Sequence, residues 1–243
     1  MTMTTERARR LAWLCIGVAA AAAHAETALP FGAAGAAPRA PWQVAGLPQQ
    51  VPPLTRFAIV DHDGRRAARI EADASYGNLV YPLTPPRPVT RLAWWWRADV
   101  LIASADLRTK AGDDAALKVC IFFDLPLNQV PFVERQLLRY ARSRSNQALP
   151  AATVCYVWDA QLPVGTAIDN AYTRRVRYKV LQSGPARLHE WTPEQRDVTA
   201  DFVELFGDES AQAPAVTGVA IGADADNTRG RSLAHVADVV LTP

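Results

Sequence analysis

The sequence has few histidines and cysteines and lacks most of the motifs that mark an enzyme. It has 4 histidines and 3 cysteines among 243 residues, with no CxxC spacing of the kind that binds a metal. A Gly-x-Ser-x-Gly elbow, a phosphate-binding glycine loop, a His-Glu-x-x-His helix and a dinucleotide fingerprint are all missing. These absences leave a glycosidase open, because that chemistry needs only two facing carboxylates.

The chain also has no useful excess of charge. Its 26 basic and 24 acidic residues give a formal charge of +2, and three of the basic and one of the acidic residues precede residue 26. The rest of the chain is therefore neutral. A surface built for nucleic acid carries a basic excess, so we expect no nucleic-acid partner. The apolar fraction of 49% excludes a disordered or collagen-like chain.

The first 25 residues have the layout of a secretory signal peptide. Three arginines precede the apolar run Leu11–Ala23, which is too short to span a bilayer, and Ala23–Ala25 has the small-x-small form of a cleavage site. The sequence therefore predicts cleavage near Ala25 and a periplasmic or secreted protein with no transmembrane segment in its mature part. A short N-terminal membrane anchor is the alternative.

The remaining chain divides into a leader and one domain. Residues 26–53 are rich in Ala, Gly and Pro without a period, which predicts a flexible leader. Residues 54–243 show short apolar runs separated by turn residues, which predicts an antiparallel β-sandwich or jelly roll, mainly β, with one or two short helices inserted. The predicted strands are Arg56–Asp61, Ala67–Ala74, Asn78–Leu83, Thr90–Asp99, Ala116–Asp124, Ala152–Trp158, Arg174–Gln182, Glu190–Asp197, Ala215–Ala223 and Leu233–Leu241.

Helical spacing appears in two places. In Phe132–Arg144 one face is apolar and is predicted to point inward, and a second short helix or turn is predicted between Asp197 and Gly207. The predicted inward residues of the first helix are Val133, Leu137, Tyr140 and Ala141, and its opposite stripe is Arg135, Arg139 and Arg142. Three cations on one face could contact anionic groups of the cell envelope. A solvated helix face is the alternative.

Two cysteines, Cys120 and Cys155, lie inside apolar, β-branched runs. We expect these runs to be neighbouring strands whose cysteines face each other and form a disulfide in an oxidising compartment. Two buried free thiols are the alternative, because a free cysteine behaves as a small core residue.

Six phrases of the sequence are specific enough to compare with known families. They are Asp73–Gly77, Trp94–Arg97, Ala105–Asp114, Tyr156–Trp158, Arg196–Val198 and Ala223–Thr228. Together they resemble an exported bacterial family known as domain of unknown function 3047, over a region from Arg56 to Leu241. The chain departs from the family pattern at Trp95, which stands where the family has an arginine between two tryptophans. The resemblance implies a sandwich similar to carbohydrate-binding modules and supplies no activity.

Two charged loops are the candidate ligand-binding segments. Carboxylates and cations at the rim of a sandwich can bind a polar ligand such as a sugar, or a hard cation through oxygen atoms. The alternative is structural, since aspartates stabilise turns and ion pairs tie loops together. The candidate residues are Asp106, Arg108, Lys110, Asp113 and Asp114 in the first loop and Asp224, Asp226 and Asn227 in the second.

The second loop only partly matches a calcium loop. Arg229 stands where an EF-hand requires glycine, and His235 where it requires glutamate. We therefore expect no cofactor, with a bound Ca²⁺ as the weaker alternative.

The aromatic strand is the third candidate. Alternation along a strand sends Trp94 and Trp96 to one face and Trp95 to the other. An exposed Trp95 offers a flat ring for a sugar, and a buried one is part of the core.

These features predict an exported, non-catalytic β-sandwich that binds a polar ligand, above all a glycan or envelope polysaccharide. One alternative is a hydrolase acting on envelope polysaccharide through paired carboxylates of the two charged loops. Another is a structural component that docks onto the cell envelope. Whether the two charged loops meet in space is the observation that bears most on this choice.

Overall fold

The structure is a computed structural model that describes residues 25–47, 50, 53–145 and 149–243. The predicted signal peptide, apart from Ala25, lies outside these residues. In the described ranges we find thirteen strands, two α-helices and a short 3-10 helix at Lys110–Gly112. No helix of the described chain is long and apolar enough to cross a membrane.

The strands and helices follow one another along the chain in a mainly β pattern. The helices are α1 (Phe132–Arg144) and α2 (Val198–Phe206). The strands are β1 (Thr27–Ala28), β2 (Gln43–Ala45), β3 (Arg56–His62), β4 (Arg65–Asp73), β5 (Tyr76–Arg87), β6 (Arg91–Val100), β7 (Ala115–Phe123), β8 (Ala152–Asp159), β9 (Ala167–Asp169), β10 (Val176–Ser183), β11 (Thr192–Asp197), β12 (Val216–Asp224) and β13 (Arg231–Thr242).

Two sheets pack face to face. The six-stranded sheet has the order β11-β6-β13-β4-β3, with β1 also paired to β13, and the seven-stranded sheet has the order β2-β5-β12-β7-β8-β10-β9. The predicted β-sandwich with two short helices is confirmed. One pair differs from the antiparallel expectation, because β8 and β10 run parallel. Parallel neighbours need a crossover connection, and the segment between these two strands supplies it.

Aromatic side chains join the two sheets. On β6 the residues alternate between buried and half-buried, so Trp94 and Trp96 enter the core and Trp95 faces outward. Trp94 stacks on Tyr156 of β8 with ring centroids 5.3 Å apart, and Trp96 lies 5.8 Å from Trp158 of the same strand. Each such pair adds about 1 kcal/mol beyond the burial of its area, so these contacts fix how the sheets lie on each other.

The predicted flexible leader is wrong in part. β1 pairs with β13 and β2 pairs with β5, so the segment adds a strand to each sheet. Its side chains Leu29, Phe31 and Trp42 are buried, and the Trp42 Nε1 donates a hydrogen bond to the Pro30 carbonyl at 3.2 Å. These strands contain only two and three residues, too few for an alternating pattern to be visible in the sequence.

Helix α1 has the predicted bounds and a different orientation. Leu138 is its buried residue, whereas Val133, Leu137 and Tyr140, predicted to face inward, are about 60% exposed or more. Helical periodicity identifies an apolar stripe but not the surface that covers it, so the sequence did not determine which face packs.

Helix α2 is confirmed as predicted and is held by a buried ion cluster. Its N-cap Asp197 accepts hydrogen bonds from the N–H groups of Thr199 and Ala200. Inside the helix, Asp201 accepts hydrogen bonds from Arg196 at 2.9 and 2.6 Å, from Lys179 at 2.8 Å and from the Tyr156 hydroxyl at 2.8 Å. Burial alone raises the pKa of Asp201, but these hydrogen bonds outweigh it and the pKa is lowered.

Replacing Asp201→Asn should lower the free energy of unfolding at pH 7 by about 3 kcal/mol, because it leaves buried cations without their carboxylate. The folded pKa of Asp201 lies below its unfolded value, so this stabilisation is present above about pH 4 and is lost as the pH falls through the folded pKa. Urea unfolding at several pH values measures it. Glu204→Gln is the matched control: Glu204 also contacts Lys179, but its side chain is 49% exposed, so we expect less than about 1 kcal/mol. An equal loss in both variants contradicts the prediction.

Cys120 and Cys155 are joined by a disulfide that links directly opposed residues of β7 and β8. The bond closes a loop with a sequence separation of 35 residues. On the loop-entropy relation, a Cys120→Ala/Cys155→Ala variant should lose about 4 kcal/mol of unfolding free energy in urea. Reduced wild-type protein is the control and should match the variant. If thiol titration of the denatured, unreduced protein detects both of these cysteines as free thiols, the prediction is wrong.

Candidate functional site

A groove of about 770 Å³ opens on the outer face of the seven-stranded sheet. Its floor is formed by outward side chains of the central strands, the Cys120–Cys155 disulfide among them, and by Ala220 of β12. One wall is β2 with the residues that follow it, and the opposite wall includes Asn170, Tyr172 and Asn227. The segment predicted to be a leader therefore helps to shape this groove.

The two charged loops meet at one end of the groove. Asp114, at the end of the first loop, accepts hydrogen bonds from the N–H groups of Asn227 and Thr228 at 3.1 and 2.8 Å and from the Thr228 hydroxyl at 2.5 Å. The Asn227 amide donates to the Asp113 carbonyl at 3.1 Å. Asp114 is therefore an internal clamp that positions the second loop, and its oxygens are already used.

Tyr172 ties a third segment to this junction. Its hydroxyl lies 2.9 Å from the Lys110 carbonyl and 2.8 Å from the Asn227 Oδ1, and the Lys110 Nζ lies 5.4 Å from the centre of the Tyr172 ring. The Tyr172 side chain itself is 57% exposed, so its ring is open to the groove.

Buried polar side chains line the same end of the groove. The Asp113 carboxylate accepts hydrogen bonds from Asn170 at 2.5 Å and from the Tyr178 hydroxyl at 3.3 Å. Lys118 of β7 places its Nζ 3.5 Å from the Asp224 Oδ2 and 4.4 Å from the centre of the Tyr76 ring. The Asp224 Oδ1 has no hydrogen-bond partner among the described residues.

The pKa values of the ionisable side chains at this end of the groove are shifted, and burial is the largest single cause. Burial raises the pKa of Asp224 well above its usual value; Lys118 opposes this effect, and Asp226 and Asp114 add to it. Burial also raises the pKa of Asp113. For Lys118 burial acts in the lowering direction, but the surrounding negative groups outweigh it and the pKa is raised. Carboxyls that hold their protons more tightly can donate as well as accept hydrogen bonds.

The carboxylates offer a hard cation few free ligands. One oxygen from each of Asp114, Asp224 and Asp226 lies within 4.8 Å of the others, and oxygen is the donor that Ca²⁺ prefers. However, both Asp114 oxygens accept hydrogen bonds, and the Lys118 ammonium already neutralises Asp224. The donor set therefore fits Ca²⁺ poorly.

Other predicted site residues lie outside the groove lining. Asp106 and Arg108 form an exposed ion pair with each other at 2.7 Å. Trp95 lies on the outer face of the opposite sheet, half-buried beneath Arg65, whose Cζ is 3.6 Å from the ring centre. Trp95 is therefore on the sheet opposite the groove, and Asp106 and Arg108 are not among the residues that line it.

The predicted arginine stripe is also not a free cationic surface. Arg135 and Arg142 are half-buried and donate hydrogen bonds to the carbonyls of Leu127 at 3.4 Å and Leu149 at 2.9 Å. Arg139 is exposed. Two of the three cations thus tie α1 to the chain around it, which is the reverse of the predicted orientation.

Sequence reasoning missed Lys118, Tyr76, Tyr178 and Asn170. Lys118 had a visible signal, because it is the lone charge within the apolar strand β7, where an unpaired ammonium would be costly. The two tyrosines and Asn170 had none, since their roles arise from contacts between distant segments.

The fold and the site together define an all-β sandwich protein with a polar groove on the outer face of one sheet. The family described as protein of unknown function, DUF3047, matches residues 40–240, so the chain belongs to this family. This confirms the resemblance seen in the sequence. No curated protein matches the chain at a significant level.

Two solved structures are similar to the chain at low identity. The K2 cleaved adhesin domain of Lys-gingipain is 9% identical, with a TM-score of 0.39, covering 90% of this chain and 100% of that one. Endoglucanase 3 of Trichoderma harzianum, from family GH12, is 8% identical, with a TM-score of 0.39, covering 84% of this chain and 98% of that one.

If Asp114 positions the second loop, Asp114→Ala should free the N–H groups of Asn227 and Thr228. We expect faster amide hydrogen exchange at both positions and a loss of about 2 kcal/mol in unfolding free energy, the value of charged hydrogen bonds left unmade. Asp226→Ala, whose side chain is exposed, is the control and should leave exchange at Thr228 unchanged. Unaltered exchange in the Asp114 variant removes the clamp role.

Proposed function

We propose that the protein binds a glycan, or a similar neutral polyhydroxylated ligand, in the groove of the seven-stranded sheet. The observation that carries this proposal is the meeting of the two charged loops with buried Lys118, Asp113 and Asp224 at one end of that groove. The volume of about 770 Å³ lies within the range of small-molecule sites.

The polar end suits hydroxyl groups. A sugar hydroxyl both donates and accepts hydrogen bonds. Lys118 supplies a donor, and the Oδ1 of Asp224, which has no partner among the described residues, supplies an acceptor. Because these side chains are already held by the protein, a ligand need not pay to order them, and this favours binding.

The rest of the groove suits the C–H faces of sugar rings. Val80 and Phe122 are apolar parts of the lining, and the rings of Tyr76 and Tyr172 lie beside the polar end. Alternating polar edges and apolar faces are the surface of a carbohydrate. The groove presents the same two kinds of surface side by side.

The charge balance of the groove disfavours an anionic ligand. Three carboxyls, those of Asp113, Asp224 and Asp226, line the groove against the ammonium of Lys118. The raised pKa values of Asp113 and Asp224 reduce this negative charge. However, Lys118 is the one cation among the described residues of the lining and is already paired with Asp224, so a phosphate or polyanion would find no free cation there. A neutral glycan is therefore favoured over nucleic acid or an acidic polymer.

We further infer export to the periplasm or beyond. The disulfide in the groove floor favours an oxidising compartment. The arginines and apolar run before residue 25 form the signal-peptide pattern that such export requires.

A glycan array probed with the purified protein tests the proposal, followed by calorimetry with the glycan that binds. Asp113→Ala should weaken binding by roughly 5- to 150-fold, because truncating it removes a buried partner worth about 1–3 kcal/mol. Asp106→Ala is the matched control, since the carboxylate of this neighbouring aspartate pairs with Arg108 and lies outside the groove lining.

Three outcomes are decisive. Loss of affinity in the Asp113 variant, measured below its melting temperature and absent from the Asp106 variant, supports the binding role. If the protein binds none of the envelope and extracellular polysaccharides on the array, this result argues against the proposal. Appearance of new reducing ends when the bound glycan is incubated with the protein would identify a hydrolase that uses the groove carboxyls instead.

A further inference from the structure

A second group of chemically active side chains lies on the outer face of the six-stranded sheet, away from the groove. It consists of His62 at the end of β3, Asp99 near the end of β6 and His235 in the middle of β13. We call these three residues the His–Asp cluster. One nitrogen or oxygen from each residue lies within 4.8 Å of the others.

The converging atoms lack hydrogen-bond partners. The His62 Nε2, Asp99 Oδ2 and His235 Nδ1 are all buried atoms with none among the described residues. The His235 Nδ1 lies 2.9 Å from the Asp99 Oδ2, but the geometry makes no hydrogen bond. Buried polar atoms without partners are rare in folded proteins. The His62 Nε2 has the Asp63 Oδ2 at 3.8 Å, too far for a hydrogen bond. One shared partner would satisfy all three side chains, which offer ligand atoms within 4.8 Å of one another.

Neighbouring side chains hold the Asp99 carboxylate so that one of its two oxygens faces the imidazoles. The Asp99 Oδ1 accepts a hydrogen bond from the Arg97 Nε at 2.7 Å and lies 2.9 Å from the His189 Nδ1. These contacts occupy one carboxylate oxygen and leave the other facing the imidazoles. Outer contacts of this kind orient metal ligands in proteins.

One ligand must move to complete a site. The rings of His62 and His235 are stacked, with centroids 4.2 Å apart and an angle of 2° between their planes. Two parallel stacked rings cannot both hold one ion in their planes. The His62 side chain is 32% exposed, so it can turn out of the stack, and this open side also gives an ion its path from solvent. His235, only 3% exposed, keeps its place.

We propose that the His–Asp cluster binds a divalent transition metal such as Zn²⁺. Two imidazole nitrogens and one carboxylate oxygen form a donor set suited to Zn²⁺, Cu²⁺ or Ni²⁺ rather than to Ca²⁺ or Mg²⁺. Three protein ligands leave a fourth position for water or a further ligand. The proposal is independent of the groove, because it uses the opposite sheet.

Calorimetric titration of Zn²⁺ into chelator-treated protein tests this. We expect one ion per chain and a rise in melting temperature with added Zn²⁺. His62→Ala should weaken binding by at least about 10-fold, since loss of even an orienting contact costs that much. This side chain is partly exposed at a strand end, so the variant should keep its fold, and its melting temperature without metal checks that it does.

The acidic residues of the groove provide the control. Asp226→Asn removes an exposed carboxylate from the oxygen cluster at the groove and should leave Zn²⁺ affinity unchanged. Co²⁺ in place of Zn²⁺ should give visible absorption bands that disappear in the His62 variant. Absence of Zn²⁺ binding, equal affinity in His62→Ala and wild type, or loss of binding in Asp226→Asn would each overturn the proposal.

Discussion

The central strands of the seven-stranded sheet are buried on both faces, and the arrangement of the groove follows from this constraint. Every residue of β8 is buried, and so is nearly every residue of β7. A charged side chain on such a strand must be paired by the protein itself. Lys118 is that side chain, and the negative groups near its ammonium are Asp224 at the end of β12 and Asp113 just before β7. The polar end of the groove therefore also supplies the partners that the buried Lys118 needs in the folded protein.

The acidic residues divide into those that build the site and those left free within it. Both Asp114 oxygens accept hydrogen bonds from the turn at Asn227 and Thr228. Asp114 therefore fixes the geometry of this turn and is unavailable to a ligand. Asp224 keeps one oxygen unpaired in a buried position. In the sequence, Asp114 and Asp224 were equally good candidates for ligand binding. Only their contacts in the structure show that one positions a turn and the other has an oxygen free. An unpaired buried oxygen costs stability, and such a cost is commonly retained where it serves binding.

The parts of the fold that could be predicted are those encoded by local periodicity. Apart from the three-residue β9, the strands from β3 onward are alternating or continuously buried runs of six residues or more. Helix α2 has a cap, an apolar stripe and a terminal glycine close together in sequence. The short strands β1 and β2 have no period to detect. The packed face of α1 depends on what lies beneath it, and so does the placement of Trp95 on the sheet opposite the groove. The site itself joins residues more than a hundred positions apart, which a single sequence does not encode locally.

The neutrality of the chain beyond its first 25 residues leaves its recognition chemistry to these local clusters. On the seven-stranded sheet, the atoms that could contact a ligand are mainly oxygens around the buried Lys118 ammonium. On the six-stranded sheet, they are imidazole nitrogens around the Asp99 carboxylate. An added cation would compete with Lys118 at the first cluster, and an added anion would meet three carboxyls there. A neutral ligand avoids both penalties, because it exchanges hydrogen bonds with the carboxyls without changing the charge. In the His–Asp cluster, the charge of Asp99 is already balanced by Arg97. The lone pairs of the imidazole nitrogens are what this cluster offers, and they suit a transition metal rather than a saccharide.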